Sequence, residues 1–406
     1  MKRKNHIQRG FFRGAFFLVL FSFLLIALQQ TVWSLEGADN SRFSHPRVDK
    51  KILNGIHLLY NIQFDDAESL FQEVISESPD KPAGYFYLAM VSWSRMVAGF
   101  WSSETVKEYK ERIDRTVKVA NIRIENNMAD SYDYFYLGGA LGFQGRFELM
   151  RAEWFSSFRT AKKAVKALKV CVKIDPDNRD VLLGLGTFDY YTTRLSGVLK
   201  FLSYLFLHKG DRKEGLRKLH IAAEEAVYSG TEAKSMLLHI YLFLEEDCSK
   251  ALPLARDLSE KYKQDPTYKL FEGVACVRLG LWHEYKNTLS YMRQRSLQAF
   301  PQKTGLIWKR RGIYLESIHD LFYTRYPEAR SKLQEILEYS DPETDPAMIA
   351  WPLVKIGMAY DLEGNREEAK KYYQKALSMK NGAGAQFMAE KCLADPPKEK
   401  DPIIGY

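Results

Sequence analysis

The sequence predicts an all-α chain, a solenoid of about eight antiparallel helix pairs stacked side by side with elongated helices in the middle. Three observations predict it. Between Ala350 and Ala383, Leu353, Ile356, Gly357, Tyr360, Gly364, Ala369, Tyr373 and Ala376 fall at offsets 4, 7, 8, 11, 15, 20, 24 and 27 of a 34-residue unit. Counted from Val48, Gly55, Ala67, Phe71 and Pro79 take offsets 8, 20, 24 and 32, and Tyr85, Leu88 and Ala89 restart the pattern 34 residues on from Lys51, Asn54 and Gly55. With 46% apolar and 14% aromatic residues, the 406-residue chain can bury a large core, which argues against disorder. Packing explains the residue types. Small Gly357 and Ala369 let two helices approach, Tyr360 and Tyr373 fill the space between them and their neighbours, and Asp361, Glu363, Gly364 and Asn365 make the turn. One such hairpin cannot bury its apolar faces alone, so the chain should hold its neighbours.

The first residues form a segment of their own. Lys2, Arg3, Lys4, Arg9 and Arg13 precede an apolar run from Ala15 to Leu28, and Val32 and Ser34 offer a small-residue cleavage site, the plan of an export signal over residues 1–34. At about 14 residues the run is short of the roughly 20 that span a bilayer, which favours a cleaved signal over an inner-membrane anchor. The expected destination is the periplasm or cell envelope of a bacterium. That segment holds five basic and no acidic residues, so without it the formal net charge falls from +8 to +3. Lys309, Arg310 and Arg311, and the row Lys162, Lys163, Lys166 and Lys169, read as solvated helix faces, and no nucleic-acid partner is expected.

Residues 35–47 are a polar linker, and the array runs over 48–394. A long periodic segment, Val106 to Asn126, replaces the short second helix of a unit, and the next first helix runs through Tyr134, Leu137, Gly138 and Leu141. After Gly145 an extended stretch with Trp154, Phe155 and Phe158 leads to Ala164, Leu168, Cys171 and Pro176 at offsets 20, 24, 27 and 32. Gly138 lies 26 rather than 12 residues before Ala164, an insertion of about four helical turns. A unit from Asp177 carries Leu182, Leu185 and Gly186. Leu195 to Leu207 follows, apolar nearly all round, which predicts a buried helix, with a membrane- or partner-facing element as the alternative. The phase returns with Leu238, Leu242 and Ala251, then Gly273, Cys276 and Gly280. Phe300 to Gly305 reads as a loop. Ile313, Leu321, Ala329, Leu333 and Ile336 make the penultimate unit, a short helix to Leu393 caps the stack, and residues 395–406 form a flexible tail.

The 34-residue pattern resembles the tetratricopeptide repeat. A second resemblance lies in the middle. Gly184 and Gly186, the hydrophobic segment, Gly210-Asp211-Arg212, then Gly215, Leu216 and Leu219 are similar to the layout of the tetratricopeptide-39 family and its fungal inclusion-body-clearance relatives, over residues 130–245. That resemblance implies a helical repeat superhelix with an interrupted middle.

Chemistry is thinly represented. There is no HExxH, GxSxG or Walker loop, and the eight His are scattered, with His57, His220 and His239 inside predicted helices. Glu224-Glu225 and Glu245-Glu246-Asp247 sit at helix ends or turns, where charge is expected. Cys171, Cys248, Cys276 and Cys392 make no CxxC pair. Their disulfide pairing stays open among three connectivities, with Cys171 and Cys276 at positions that suit core filling. Glu316-Ser317 resembles the acid pair of lytic transglycosylases, but Ser317 occupies offset 8 and the Gly- and Gln-rich surroundings are missing. No catalytic residue, metal or cofactor is expected. The tetratricopeptide resemblance implies instead a concave groove lined by first helices at offsets 2, 5, 9 and 12 or 13, which would present Phe86, Trp93, Phe135, Phe143, Tyr190, Tyr314 and Trp351 to a protein or peptide partner. The expected function is an exported scaffold or adaptor. The alternative is an envelope- or lipid-associated binding protein whose membrane contact is the N-terminal segment or residues 195–207.

Overall fold

Every element among the described residues is a helix. The computed structural model describes residues 46–398 apart from 152, 194–209, 300–301, 340–344 and 380. The export signal, most of the linker, the hydrophobic segment 195–207 and the end of the tail lie outside the described residues. The described residues from Ile52 onward form one compact unit.

Seventeen helices follow one another among the described residues. They are α1 (Pro46–Tyr60), α2 (Phe64–Glu77), α3 (Pro82–Val97), α4 (Ser103–Glu125), α5 (Ser131–Met150), α6 (Trp154–Ile174), α7 (Val181–Thr192) and α8 (Arg212–Glu225). Then come α9 (Gly230–Phe243), α10 (Cys248–Lys261), α11 (Pro266–Arg278), α12 (Trp282–Gln298), α13 (Gln302–Phe322), α14 (Tyr326–Tyr339), α15 (Ala347–Leu362), α16 (Arg366–Ser378) and α17 (Ala385–Ala394). From α3 to α17, neighbours in sequence pack on one another, so the helices make successive pairs and α17 closes the last.

Side-chain caps fix many of the starts. Asp130 accepts from the Tyr132 and Asp133 amides while Asp133 reaches back to the Asp130 amide, a reciprocal box at α5. Ser102, Asp211, Asp247, Asp265 and Asn365 cap α4, α8, α10, α11 and α16 in the simpler way. Gly364 takes φ +83°, the left-handed turn between α15 and α16 that a side chain would strain.

The contact that the repeat positions predict is the one that packs each pair. A Cβ added to Gly357 would stand 2.5 Å from the Tyr373 ring, and one at Gly55 would collide with the Phe71 ring in the same way, offset 8 against offset 24. The elongated pair α5/α6 keeps this contact. A Cβ at Gly138 would stand 2.5 Å from Leu168. The 14-residue insertion therefore lengthens the helices without changing where they touch.

Two sequence expectations are corrected. Gln302 to Gly305, expected in a loop, is the first turn of α13. Trp154, Phe155 and Phe158 belong to the first turns of α6, within the helical insertion that the spacing predicts. Arg310 and Arg311, read with Lys309 as a solvated face, are buried, Arg311 completely, and both approach Asp345 at 3.4 and 3.5 Å. The reason is placement: α13 is covered by other helices on the side that carries these two residues, and only Lys309 looks outward. The Lys162 row is exposed as expected. No described helix is long and apolar enough to cross a membrane.

Candidate functional site

The seven aromatic residues expected in a groove do not share one surface. Phe86 packs on Tyr87, Tyr136 and Phe143 with ring centroids 5.1, 5.5 and 6.2 Å away. Trp93 lies between Tyr109 and Phe143, under the Arg146 guanidinium, and is 5% exposed. Phe135 is buried beside Tyr132 and Tyr136. Tyr190 is buried and donates to Glu245 at 2.5 Å. Tyr314 is fully buried, and Trp351 is buried with no acceptor for its indole N–H. Phe143 alone of the seven is half-buried.

Contacts distant in sequence also tie the helix pairs together. Tyr60 of α1 donates to Glu232 of α9 at 2.6 Å and packs on Tyr262, which in turn meets the Thr231 hydroxyl at 2.8 Å. Burial, then the Glu232 charge, pushes the Tyr60 phenol well above its ordinary range. Asp180, at the start of α7, accepts from the Tyr228 and Ser229 amides, both at 2.7 Å, and so ties the α8–α9 connection to α7. Arg123 clamps Asp133 and Asp80 and donates to the Met128 carbonyl. The aromatic positions thus fall in interior already filled by side chains from other pairs.

A different surface is open. Between α12 and α14, over the end of α13, lies a cleft of about 480 Å³. Trp282, Tyr285 and Leu289 of α12 form one wall, His319 of α13 the floor, and Lys286, Arg293, Arg325 and Lys332 the rim. The imidazole of His319 stacks on Tyr285 at 4.7 Å and 10°, with Trp282 and Tyr323 at 4.8 and 4.7 Å. Arg325 donates to Nδ1 of His319 at 2.7 Å. A guanidinium has no lone pair to offer, so Nδ1 is the acceptor and the ring proton sits on Nε2. Asp320 also lies 3.4 Å from Nδ1, but the closer Arg325 decides the tautomer. Asp320 pairs with Arg325 and Lys332, and Glu316 with Arg293 at 2.9 Å. Burial raises the Asp320 carboxyl, and the hydrogen bonds and cations around it more than offset this and hold it below its usual range.

Sequence reasoning missed this cleft because its residues come from three helices and no short motif joins them. His319-Asp320 with Tyr323 and Arg325 close behind was the available signal. Glu316, weighed above as an acid, is ion-paired, and Ser317 is fully buried with its hydroxyl on the Tyr314 carbonyl at 2.7 Å. The offset-8 packing role of Ser317 holds. All four cysteines are buried free thiols, and burial pushes Cys171 up to about 12 and Cys276 to about 11, far from a reactive thiolate. Among the described residues no group of His, Cys, Asp or Glu could hold a metal.

Residues 353–382 match the family model of the tetratricopeptide repeat. These residues are a tetratricopeptide repeat. The match falls on α15 and α16, the pair whose offsets are the most regular. No curated protein sequence matches the chain. Among solved structures the chain is similar to yeast Tom70, at 9% identity and TM-score 0.39, covering 83% of this chain and 87% of that one. It is also similar to the C-terminal part of a TPR repeat-containing protein from Cytophaga hutchinsonii, at 12% identity and TM-score 0.26, with 81% and 95% covered. The TPR domain of P58(IPK) aligns at 15% identity and TM-score 0.22, with 87% and 100% covered. The comparisons bring out the tetratricopeptide repeat and not the tetratricopeptide-39 family in particular.

Proposed function

We propose that this protein is a non-catalytic scaffold that binds a protein or peptide partner, exported to the bacterial cell envelope by residues 1–34. The observation that carries the reading is the stack of helix pairs held by the repeat contact, Gly357 on Tyr373 and Gly55 on Phe71, the packing by which such stacks build a continuous surface. Phe143 is the groove candidate with ring surface to offer. A partner reaches Phe86, Trp93, Phe135, Tyr190, Tyr314 and Trp351 only where the helices over them separate.

Affinity capture from envelope extract, with the chain from residue 35 as bait and mass spectrometry as readout, tests the reading. A small set of proteins retained saturably supports the scaffold. Retention of lipid alone, or muropeptide release that vanishes in Glu316→Gln, overturns it.

A further inference from the structure

The cleft between α12 and α14 has more cationic groups than its acids use. Four cations, Lys286, Arg293, Arg325 and Lys332, face two carboxylates, Glu316 and Asp320. The carboxylates are taken up by Arg293, Arg325 and Lys332. Lys286 lies over the Trp282 ring at 4.9 Å, and among the described residues its ammonium meets no carboxylate. The excess is two positive charges. Beneath them His319 is 5% exposed, and its Nε2, which carries the ring proton, has no hydrogen-bond partner. A buried N–H left unpaired costs free energy that an acceptor in the cleft would recover. Trp282 is 45% exposed with the Lys286 ammonium over its ring, a place that a flat ligand ring would take as the ammonium turns to an anion.

We propose that this cleft is a binding site for a phosphate monoester borne on a flat ring. The charge matches: a phosphate monoester carries about −1.5 to −2 at neutral pH and three strong acceptor oxygens, which suits an excess of two cations and a lone imidazole N–H. The volume matches as well, since about 480 Å³ leaves room for an organic body beyond the anion and lies in the range of small-ligand clefts. The ring stacks on Trp282 while the oxygens take Lys286, Arg325 and His319. The site lies on the α12–α14 side of the stack and does not depend on the scaffold reading.

Calorimetric titration of the full chain with phenyl phosphate tests it. The expected result is one saturable site, with inorganic phosphate binding more weakly for want of the ring and phenylacetate more weakly for want of the second charge. Lys286→Glu, at an exposed position whose loss breaks no ion pair, should weaken phenyl phosphate at least about tenfold. His319→Phe keeps the stack on Tyr285, removes the N–H, and should cost about tenfold. If His319→Phe does not fold, Lys286→Glu decides alone. Absence of saturable binding, or equal affinity in the wild type and Lys286→Glu, overturns the proposal. A peptide bearing O-phosphotyrosine separates the sources: tighter binding than phenyl phosphate supports the site and assigns its ligand to a protein, and weaker binding supports it for a small molecule.

Discussion

The aromatic positions of the first helices and the α12–α14 cleft are made of the same residue types, rings with cations beside them, and they end in opposite situations. Trp93 has Tyr109 and Phe143 against its faces and Arg146 over it, so nothing remains for a ligand to cover. Trp282 also has a cation over it, Lys286, but remains 45% exposed, and the imidazole beside it keeps an unpaired donor. The difference comes from what the neighbouring pairs supply. Around Trp93, α4 and α5 bring Tyr109, Phe143 and Arg146 against the ring, whereas the side chains of α12 to α14 leave a cleft of about 480 Å³ beside Trp282.

The comparison can be broken by substitution, and the largest effects belong on the filled side. Trp93→Ala and Tyr314→Ala should each lower stability by ~3–5 kcal/mol in denaturant unfolding, the usual cost of deleting a buried large ring. Asp345→Ala should cost ~3 kcal/mol, because it leaves Arg310 and Arg311 buried without the carboxylate 3.4 and 3.5 Å away. Its removal also tests the correction at these arginines, since a solvated face would show a change under ~0.5 kcal/mol. Acid should act through His239, whose pKa burial, helped by the Arg146 charge, lowers from 6.5 to about 4. The folded protein then binds fewer protons than the unfolded one, so this contribution is complete above pH 6.5 and is lost as the pH falls toward 4. The difference in stability between wild type and His239→Phe should shift by ~2 kcal/mol across that window, reduced from the full value because the ring is half-buried. On the open side, Lys286→Ala should change stability by less than ~0.5 kcal/mol.

Much of the fold was legible because the repeat positions state a packing contact. Gly357 with Tyr373 and Gly55 with Phe71 could be read as pairs from spacing alone, and the eight-pair estimate follows the helices α1 to α16. Gly138 with Leu168 was legible once the insertion was counted. What spacing does not carry is the burial of a face. Arg310 and Arg311 look like any charged run until Asp345, more than thirty residues on, is seen beside them. The burial of the groove rings depends on contacts such as Trp93 with Phe143 from a different helix pair, which no 34-residue register encodes. The cleft escaped for the same reason, since Lys286, His319 and Lys332 meet only when three helices are placed.

The most direct test joins unfolding to partner capture in Trp93→Ala, Tyr314→Ala and Phe143→Ala. In a scaffold whose filled interior sets its stability, the first two should lose ~3–5 kcal/mol while the folded fraction still captures the wild-type partners, and Phe143→Ala should alter capture more than stability. Unchanged stability with partners lost in Trp93→Ala and Tyr314→Ala would contradict the account and make those rings the binding surface itself.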